Sequence, residues 1–241
     1  MNIIKLSAIN STNDYLKKLT SRQHVENFTI VIANHQTEGK GQIGAIWNSE
    51  PGKNLTFSVL IKDLLQDINS IFNLNAAVAV SIVQALKAFQ ADDLSIKWPN
   101  DILAGNKKLG GILIENSIKN NGEIFSIVGI GLNVNQTDFA ALPRASSLAA
   151  LTGKEYALDV LLDEIVQNIK RNVAALMNGD TAVWDRYHQL LYKKGMPMPF
   201  ESRGKQFMGI IKGVTANGSL EVLLEDDTVA TYGVRDIQML Y

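Results

Sequence analysis

The chain has 241 residues, 46% apolar and 20% charged, enough to bury one large core or two unequal ones, and a disordered chain is excluded. Lys and Arg number 23 against 24 Asp and Glu, a net charge of -1, which lacks the basic footprint of a protein held mainly by nucleic-acid phosphates. The absence of cysteine excludes disulfides, thiolate nucleophiles, iron–sulfur clusters and cysteine-based zinc sites and makes a cytoplasmic location the default. The three histidines, His24, His35 and His188, have no metalloprotease spacing.

Residues 1–10 lack the apolar core of a secretory signal, and no run approaches the ~18 apolar residues of a membrane span, so no membrane partner is expected. Ser11-Thr12-Asn13-Asp14 is an N-cap cluster followed by Tyr15, Leu16 and Leu19 on one side, which predicts a short helix. Residues 28–33 form a β-branched strand candidate. Residues 54–61 alternate, with Leu55, Phe57, Val59 and Ile61 on one face, the period of a half-buried strand.

The clearest helix carries apolar or small residues at 74, 77, 78, 81, 82, 85, 86 and 89. Residues 94–98, 109–115 and 124–134 read as strands, with Asn120-Asn121-Gly122 as a hairpin turn between the last two. A second long amphipathic helix is predicted over 158–177, and Asp180 is the expected cap of a last helix carrying Trp184, Tyr187 and Leu191. From 196 onward the period changes to short strands with turns at Asn217-Gly218 and Asp226-Asp227. An α+β body over residues 1–193 and a small all-β domain over 194–241 is the economical reading.

Between two strands, residues 39–44 read Gly-Lys-Gly-Gln-Ile-Gly and match the G-x-G-x-x-G pattern. The context is not a dinucleotide-binding turn, because too few residues follow before the next strand and Pro51 lies among them. Such a loop can present backbone N–H groups and the Lys40 charge to an anion, or it can be a tight turn needing only glycine. A kinase reading falls, since no H-R-D or D-F-G is present.

Four segments together resemble the biotin protein ligases that biotinylate acetyl-CoA carboxylase. They are Ser11-Thr12-Asn13; residues 36–44 with Trp47 following; Lys97-Trp98-Pro99-Asn100-Asp101 with Lys107-Lys108-Leu109-Gly110-Gly111-Ile112-Leu113; and Gly129-Ile130-Gly131-Leu132-Asn133. The resemblance implies a catalytic domain like that of class II aminoacyl-tRNA synthetases, with a mixed sheet and flanking helices, followed by an SH3-like β-barrel. It implies that biotin carboxylate attacks the α-phosphate of MgATP to give biotinyl-5'-AMP, and that a lysine amine of the biotin carboxyl carrier domain then displaces AMP.

Two anions must meet in the first step, so a positioned cation should dominate, and the resemblance assigns this to Lys108. For biotin it implies Ser11, Thr12, Asn13 and Gln36 near the ureido ring, with Gly39, Lys40, Gly41 and Gln42 in the loop that closes over biotin and the adenylate. For ATP it implies Lys97, Asn100, Asp101 and Asn133, with Asp101 as the candidate magnesium ligand. Lys40-Gly41-Gln42 departs from the Arg-Gly-Arg of many relatives, losing two guanidinium forks.

Only ten residues precede Ser11, too few for a helix-turn-helix, so no DNA partner is expected. A lipoate ligase would share fold and chemistry, but the Lys97 to Asp101 motif speaks against it. A non-enzymatic biotin-binding module would have no use for a cation at 108. Family members pair through sheet edges, which makes 124–134 the expected homodimer strand if it lies at an edge. Arg235 is a further candidate for nucleotide contact.

Overall fold

The structure, a computed structural model, describes residues 2–62, 71–118 and 124–240. The elements run β1 (Ile3–Leu6), α1 (Thr12–Arg22), β2 (Ile30–Ala33), β3 (Leu55–Lys62), α2 (Ile71–Ala88), β4 (Leu94–Lys97), β5 (Asp101–Ala104), β6 (Lys107–Ile118) and β7 (Ile124–Leu132). They continue α3 (Leu148–Thr152), α4 (Leu158–Met177), α5 (Ala182–Gln189), β8 (Pro197–Ser202), β9 (Lys205–Val214), β10 (Leu220–Leu223), β11 (Val229–Tyr232) and β12 (Gln238–Met239).

Among the described residues these form a seven-stranded sheet in the order β1-β2-β3-β7-β6-β5-β4 and a five-stranded sheet in the order β11-β10-β9-β8-β12. The first sheet is mixed, because β1 and β2 run parallel while the other pairs are antiparallel. The second is antiparallel throughout.

Strand β3 is buried over seven of its eight residues, where alternation had predicted one wet face. Leu55, Phe57, Val59 and Ile61 face the core beneath α2 and α4. On the opposite face Leu60 joins Leu16 of α1 and Val31, Phe125 and Ile127. The polar positions of that alternation, Thr56 and Ser58, are buried beside α1 instead of exposed.

Helix α2 would be long and apolar enough to cross a membrane, with a mean hydropathy of 1.4 over 18 residues, yet 67% of that window is buried in the protein. It packs against α4 and α5 as a core helix. Strand β7 lies between β3 and β6 at the centre of the sheet, so the stretch 124–134 offers no free edge for pairing. The edges of this sheet are β1 and β4.

The last helix needs correction at both ends. The cap of α5 is Thr181, while Asp180 accepts from the Ala182 N–H at 2.8 Å, and Leu191 lies beyond the helix, which ends at Gln189. A strand at 101–104 and the short helix α3 carried no periodic signal, being only four and five residues long. The Asn120-Asn121-Gly122 turn lies outside the described residues, although β6 and β7 pair as an antiparallel hairpin up to Ile118 and Ile124.

The smaller sheet shares a buried cluster with the body through Met198, Phe200, Ile211, Val214, Leu220 and Val222. Trp98 pins the two together: its ring is 4% exposed and its Nε1 donates to the Gly218 carbonyl at 2.9 Å. Gly218 in turn faces the Phe72 ring of α2.

Candidate active site

The face of the large sheet opposite α2 and α4 is kept shallow by glycine. Gly111 on β6 lies directly across from Gly131 on β7 in the ladder, and Gly129 follows two residues earlier on the same face. A Cβ on Gly131 would stand 2.4 Å from the Trp47 ring, and one on Gly129 would stand 2.5 Å from the Asn13 amide oxygen. These absences leave a cavity of about 270 Å³ between the sheet, the N-terminus of α1 and the loop after β2.

Ser11 begins α1 in extended conformation, and its Oγ accepts from the Asp14 N–H at 3.4 Å. Gln36 has a structural role that the sequence did not disclose: its Oε1 accepts from the Thr12 N–H at 2.7 Å and lies 3.0 Å from Thr12 Oγ1. Gln36 therefore satisfies a helix N-terminal amide from outside the helix.

The glycine loop is a small antiparallel excursion. Lys40 bridges Ile46, the Trp47 N–H donates to Gly39, and the Gly41 N–H donates to Ala45. Gly39 is required by close packing, since a Cβ there would meet the Trp47 carbonyl oxygen at 2.3 Å. At the tip Ile43 adopts φ +55°, a conformation that β-branched residues rarely take, and Ile43 and Ile46 are 64% and 74% exposed. Lys40 Nζ sits 2.6 Å from Asp14 Oδ2, and this hydrogen-bonded carboxylate raises the ammonium's pKa above its ordinary value.

Lys108 reaches the cavity because of a bulge. The β5–β6 register runs Asp101 to Gly111 and Ile102 to Gly110, then jumps from Leu103 to Lys108. Ile112 and Leu109 both point into the core, so one extra residue between them changes the parity of the strand and returns Lys108 to the face of Gly111. Its backbone is clamped by the Lys108 N–H donating to Arg144 and the Ser146 N–H donating to Lys108. Its Nζ lies 2.6 Å from Asp101 Oδ1 and 6.0 Å from the centroid of the Trp47 ring. Lys107 turns away and donates to the Pro143 carbonyl.

Asn100 is held against β6, with its Nδ2 donating to the Ile112 carbonyl at 2.7 Å while its own carbonyl accepts from the Ile112 N–H. Ser11, Thr12, Asn13, Gln36, Lys40, Gly41, Gln42, Asn100, Asp101 and Lys108 thus line one cavity. Gly39, in the same loop, borders a separate cleft with Glu38, Gly44 and Glu115. Lys97 opens instead into an adjoining cleft of about 620 Å³ together with Arg144, Arg203 and Arg235, and Val234 and Pro99 border both spaces.

Asn133 is not brought to the cavity: it is 6% exposed, and its Nδ2 donates to the Ser146 carbonyl at 3.1 Å. Among the described residues no group of three His, Cys, Asp or Glu gathers, so Asp101 is a lone carboxylate. Sequence reasoning missed Thr56, Leu113 and Val234 in the lining, and Ser58 and Glu115 just behind it. The polar steps Thr56 and Ser58 within an apolar strand were the available signal.

Residues 6–135 match the Biotin/lipoate A/B protein ligase family, a stretch that holds nearly every lining residue of the cavity. The chain belongs to this family. Among curated members it is 27% identical over 238 residues to the bifunctional ligase/repressor BirA of Escherichia coli, covering 93% of this chain and 69% of that protein. It is 26% identical over 215 residues to the biotin--[acetyl-CoA-carboxylase] ligase of Mycobacterium tuberculosis, covering 87% and 79%.

With BirA of Bacillus spizizenii the identity rises to 34% over 134 residues, 56% of this chain, and the match spans 41% of that relative's length. A solved biotin protein ligase from Aquifex aeolicus in complex with biotin and ATP superposes with a TM-score of 0.82 at 24% identity, covering 99% of this chain and 98% of that one. This ligase family member therefore has the catalytic fold of its biotin-specific relatives, with a second antiparallel sheet at the C-terminal end.

Proposed function

We propose that this chain is a biotin protein ligase, which activates biotin with MgATP to biotinyl-5'-AMP and transfers the biotinyl group to a lysine of the biotin carboxyl carrier domain of acetyl-CoA carboxylase. The observation that carries the reading is the bulge that turns Lys108 out of the core and into a glycine-floored cavity beside Asp101. A pocket that only held a neutral ring would gain nothing from an ammonium so placed.

In the first step the biotin carboxylate oxygen attacks the α-phosphorus and pyrophosphate leaves with the bonding pair. Negative charge grows on the α-phosphoryl oxygens, and the Lys108 ammonium lies where both anions converge. A positioned charge of this kind is worth about 10²–10³ in rate when removed. Asp101 balances the charge of the ammonium, and it would supply the carboxylate for a magnesium ion brought with the nucleotide, since one carboxylate plus substrate oxygens suits that ion. In the second step an acceptor lysine amine attacks the acyl carbon and AMP departs.

The biotin-side roles fall to Ser11, Thr12, Asn13 and Gln36 at the head of α1, with Trp47 and Leu113 as apolar walls. The loop from Gly39 to Gln42 would exclude water from the mixed anhydride. Lys97 and Arg235, in the adjoining cleft, suit the nucleotide's outer phosphates. The Asn133 amide is engaged with Ser146, so an ATP-side role for it acts through the backbone of 144–146 that also clamps Lys108.

The test is incubation with biotin, MgATP and a carrier domain, reading the mass of the carrier. A gain of one biotinyl group supports the reading, and no gain overturns it. Replacing biotin by lipoate in the same assay separates the closest rival: a gain with lipoate alone would make the chain a lipoate ligase.

A further inference from the structure

Behind the cavity wall lies a chain of four oxygens. Gln36 Oε1 is 3.0 Å from Thr12 Oγ1, Thr12 Oγ1 is 2.7 Å from Ser58 Oγ, and Ser58 Oγ is 2.5 Å from Asn13 Oδ1. Ser58 is fully buried on β3, and Thr12 and Asn13 are each 3% exposed.

The chain's protons can be counted. The Asn13 amide nitrogen faces Glu115 Oε2 at 2.8 Å and the Leu113 carbonyl at 3.4 Å. Carboxylate and carbonyl oxygens only accept, so the nitrogen must face them and Oδ1 must face Ser58. Ser58 then gives its single proton to Asn13 and turns lone pairs toward Thr12, which draws the Thr12 proton inward. Gln36 Oε1 has no proton to offer, being already the acceptor for the Thr12 N–H. Three short oxygen contacts therefore share two hydroxyl protons, and the deficit falls where Thr12 and Gln36 meet the cavity.

We propose that Glu115 and Ser58 are positioning residues that polarise this relay, so that Thr12 and Gln36 present acceptors and the site selects a ligand carrying an N–H donor. This rests on the ligase reading, in which the ligand end reaching Thr12 is the ureido ring of biotin. The ring's N–H supplies the missing proton. The dithiolane of lipoate has no N–H and leaves the acceptors facing one another, so the relay discriminates between the two substrate classes of the family. A site built around a donor rejects analogues that lack it far more strongly than apolar contact can.

Glu115→Gln tests this at near-constant shape. A glutamine amide at 115 can donate to a flipped Asn13, whose nitrogen then donates to Ser58; Ser58 donates to Thr12 and Thr12 to Gln36. The three oxygen contacts then each have a proton without a ligand, while the Asn13 oxygen is turned toward the Leu113 carbonyl that its nitrogen faces in the wild type. Affinities are measured calorimetrically for biotin and for an analogue methylated at the ureido nitrogens, in the wild type and in Glu115→Gln. The expected result is a biotin affinity lowered about 3- to 10-fold, the range of one neutral hydrogen bond, with the methylated analogue unchanged.

Ser58→Ala, which removes one oxygen and the proton shortage with it, should narrow the ratio in the same direction. An equal fall for both ligands, or none for biotin, would overturn the relay. Adenylate formation by the wild type separates the two readings: a wild type that ligates biotin while both variants keep the wild-type ratio defeats the relay alone, whereas a wild type that neither binds nor adenylates biotin defeats both.

Discussion

Lys108 Nζ and Asp101 Oδ1, 2.6 Å apart, come from adjacent strands whose register slips between them. Their side chains are 37% and 20% exposed, so the pair is wet enough to contribute little to folding. Lys108→Ala should therefore leave the melting temperature nearly unchanged while lowering ATP–pyrophosphate exchange by about 10²–10³. Lys108→Arg keeps the charge but changes its shape, and should recover only part of the loss. Exchange at the wild-type rate in Lys108→Ala would remove the lysine from the mechanism.

Gly218 sits in the β9–β10 turn at φ +88°, and a Cβ there would stand 2.3 Å from the Phe72 ring. Its carbonyl also receives the Trp98 indole N–H, one residue from the Pro99-Asn100-Asp101 segment. Gly218→Ala combines a left-handed conformation with overpacking, for a cost of about 2–4 kcal/mol. A fall in melting temperature on the order of 10 °C is expected, together with a weakened KM for ATP. A variant as stable as the wild type would mean that the smaller sheet is only loosely held.

The long periodic elements were readable because their apolar faces repeat: the helix predicted over 158–177 is α4, Leu158–Met177, and Ser11 caps α1 as its position suggests. What escaped was set by tertiary contact. Strand β5 is four residues long, and the bulge that aims Lys108 exists only as a mismatch between two strands, which no single segment records. Thr56 and Ser58 signalled a polar face, but a wet face and a buried hydrogen-bonded one have the same alternation. The candidate site was legible as residue types in order. Asn133 shows the limit, since its place in the motif says nothing of the Ser146 carbonyl that occupies its amide.

Lys40 is engaged with Asp14 at the mouth of the cavity, and Gln42 lines the wall without a charge. In the proposed reaction the adenylate's phosphoryl group meets one loop ammonium tethered to a neighbour and no guanidinium. Introducing Lys40→Arg with Gln42→Arg supplies two forked donors and should slow biotinyl-5'-AMP dissociation severalfold, measured by stopped-flow chase. The effect should shrink at high salt, because the loop pair is about half exposed. An equal or faster dissociation rate would show that retention depends on the loop's backbone and not on its charges.

Tyr187 is fully buried between α5 and α2, its ring edge-on to Phe72 at 5.7 Å, and its hydroxyl finds no partner among the described residues. Burial holds its pKa far above the ordinary 10.0, because the phenolate has nothing to solvate it. The sign follows: the fold favours the protonated phenol, so this contribution is complete below pH 10.0 and is lost as pH rises beyond it. Tyr187→Phe keeps the ring contacts and removes both the unsatisfied hydroxyl and its titration. It should stabilise the neutral protein by about 1 kcal/mol and flatten the alkaline limb of melting temperature against pH. A destabilised variant with an unchanged alkaline limb would mean that the hydroxyl is satisfied in solution.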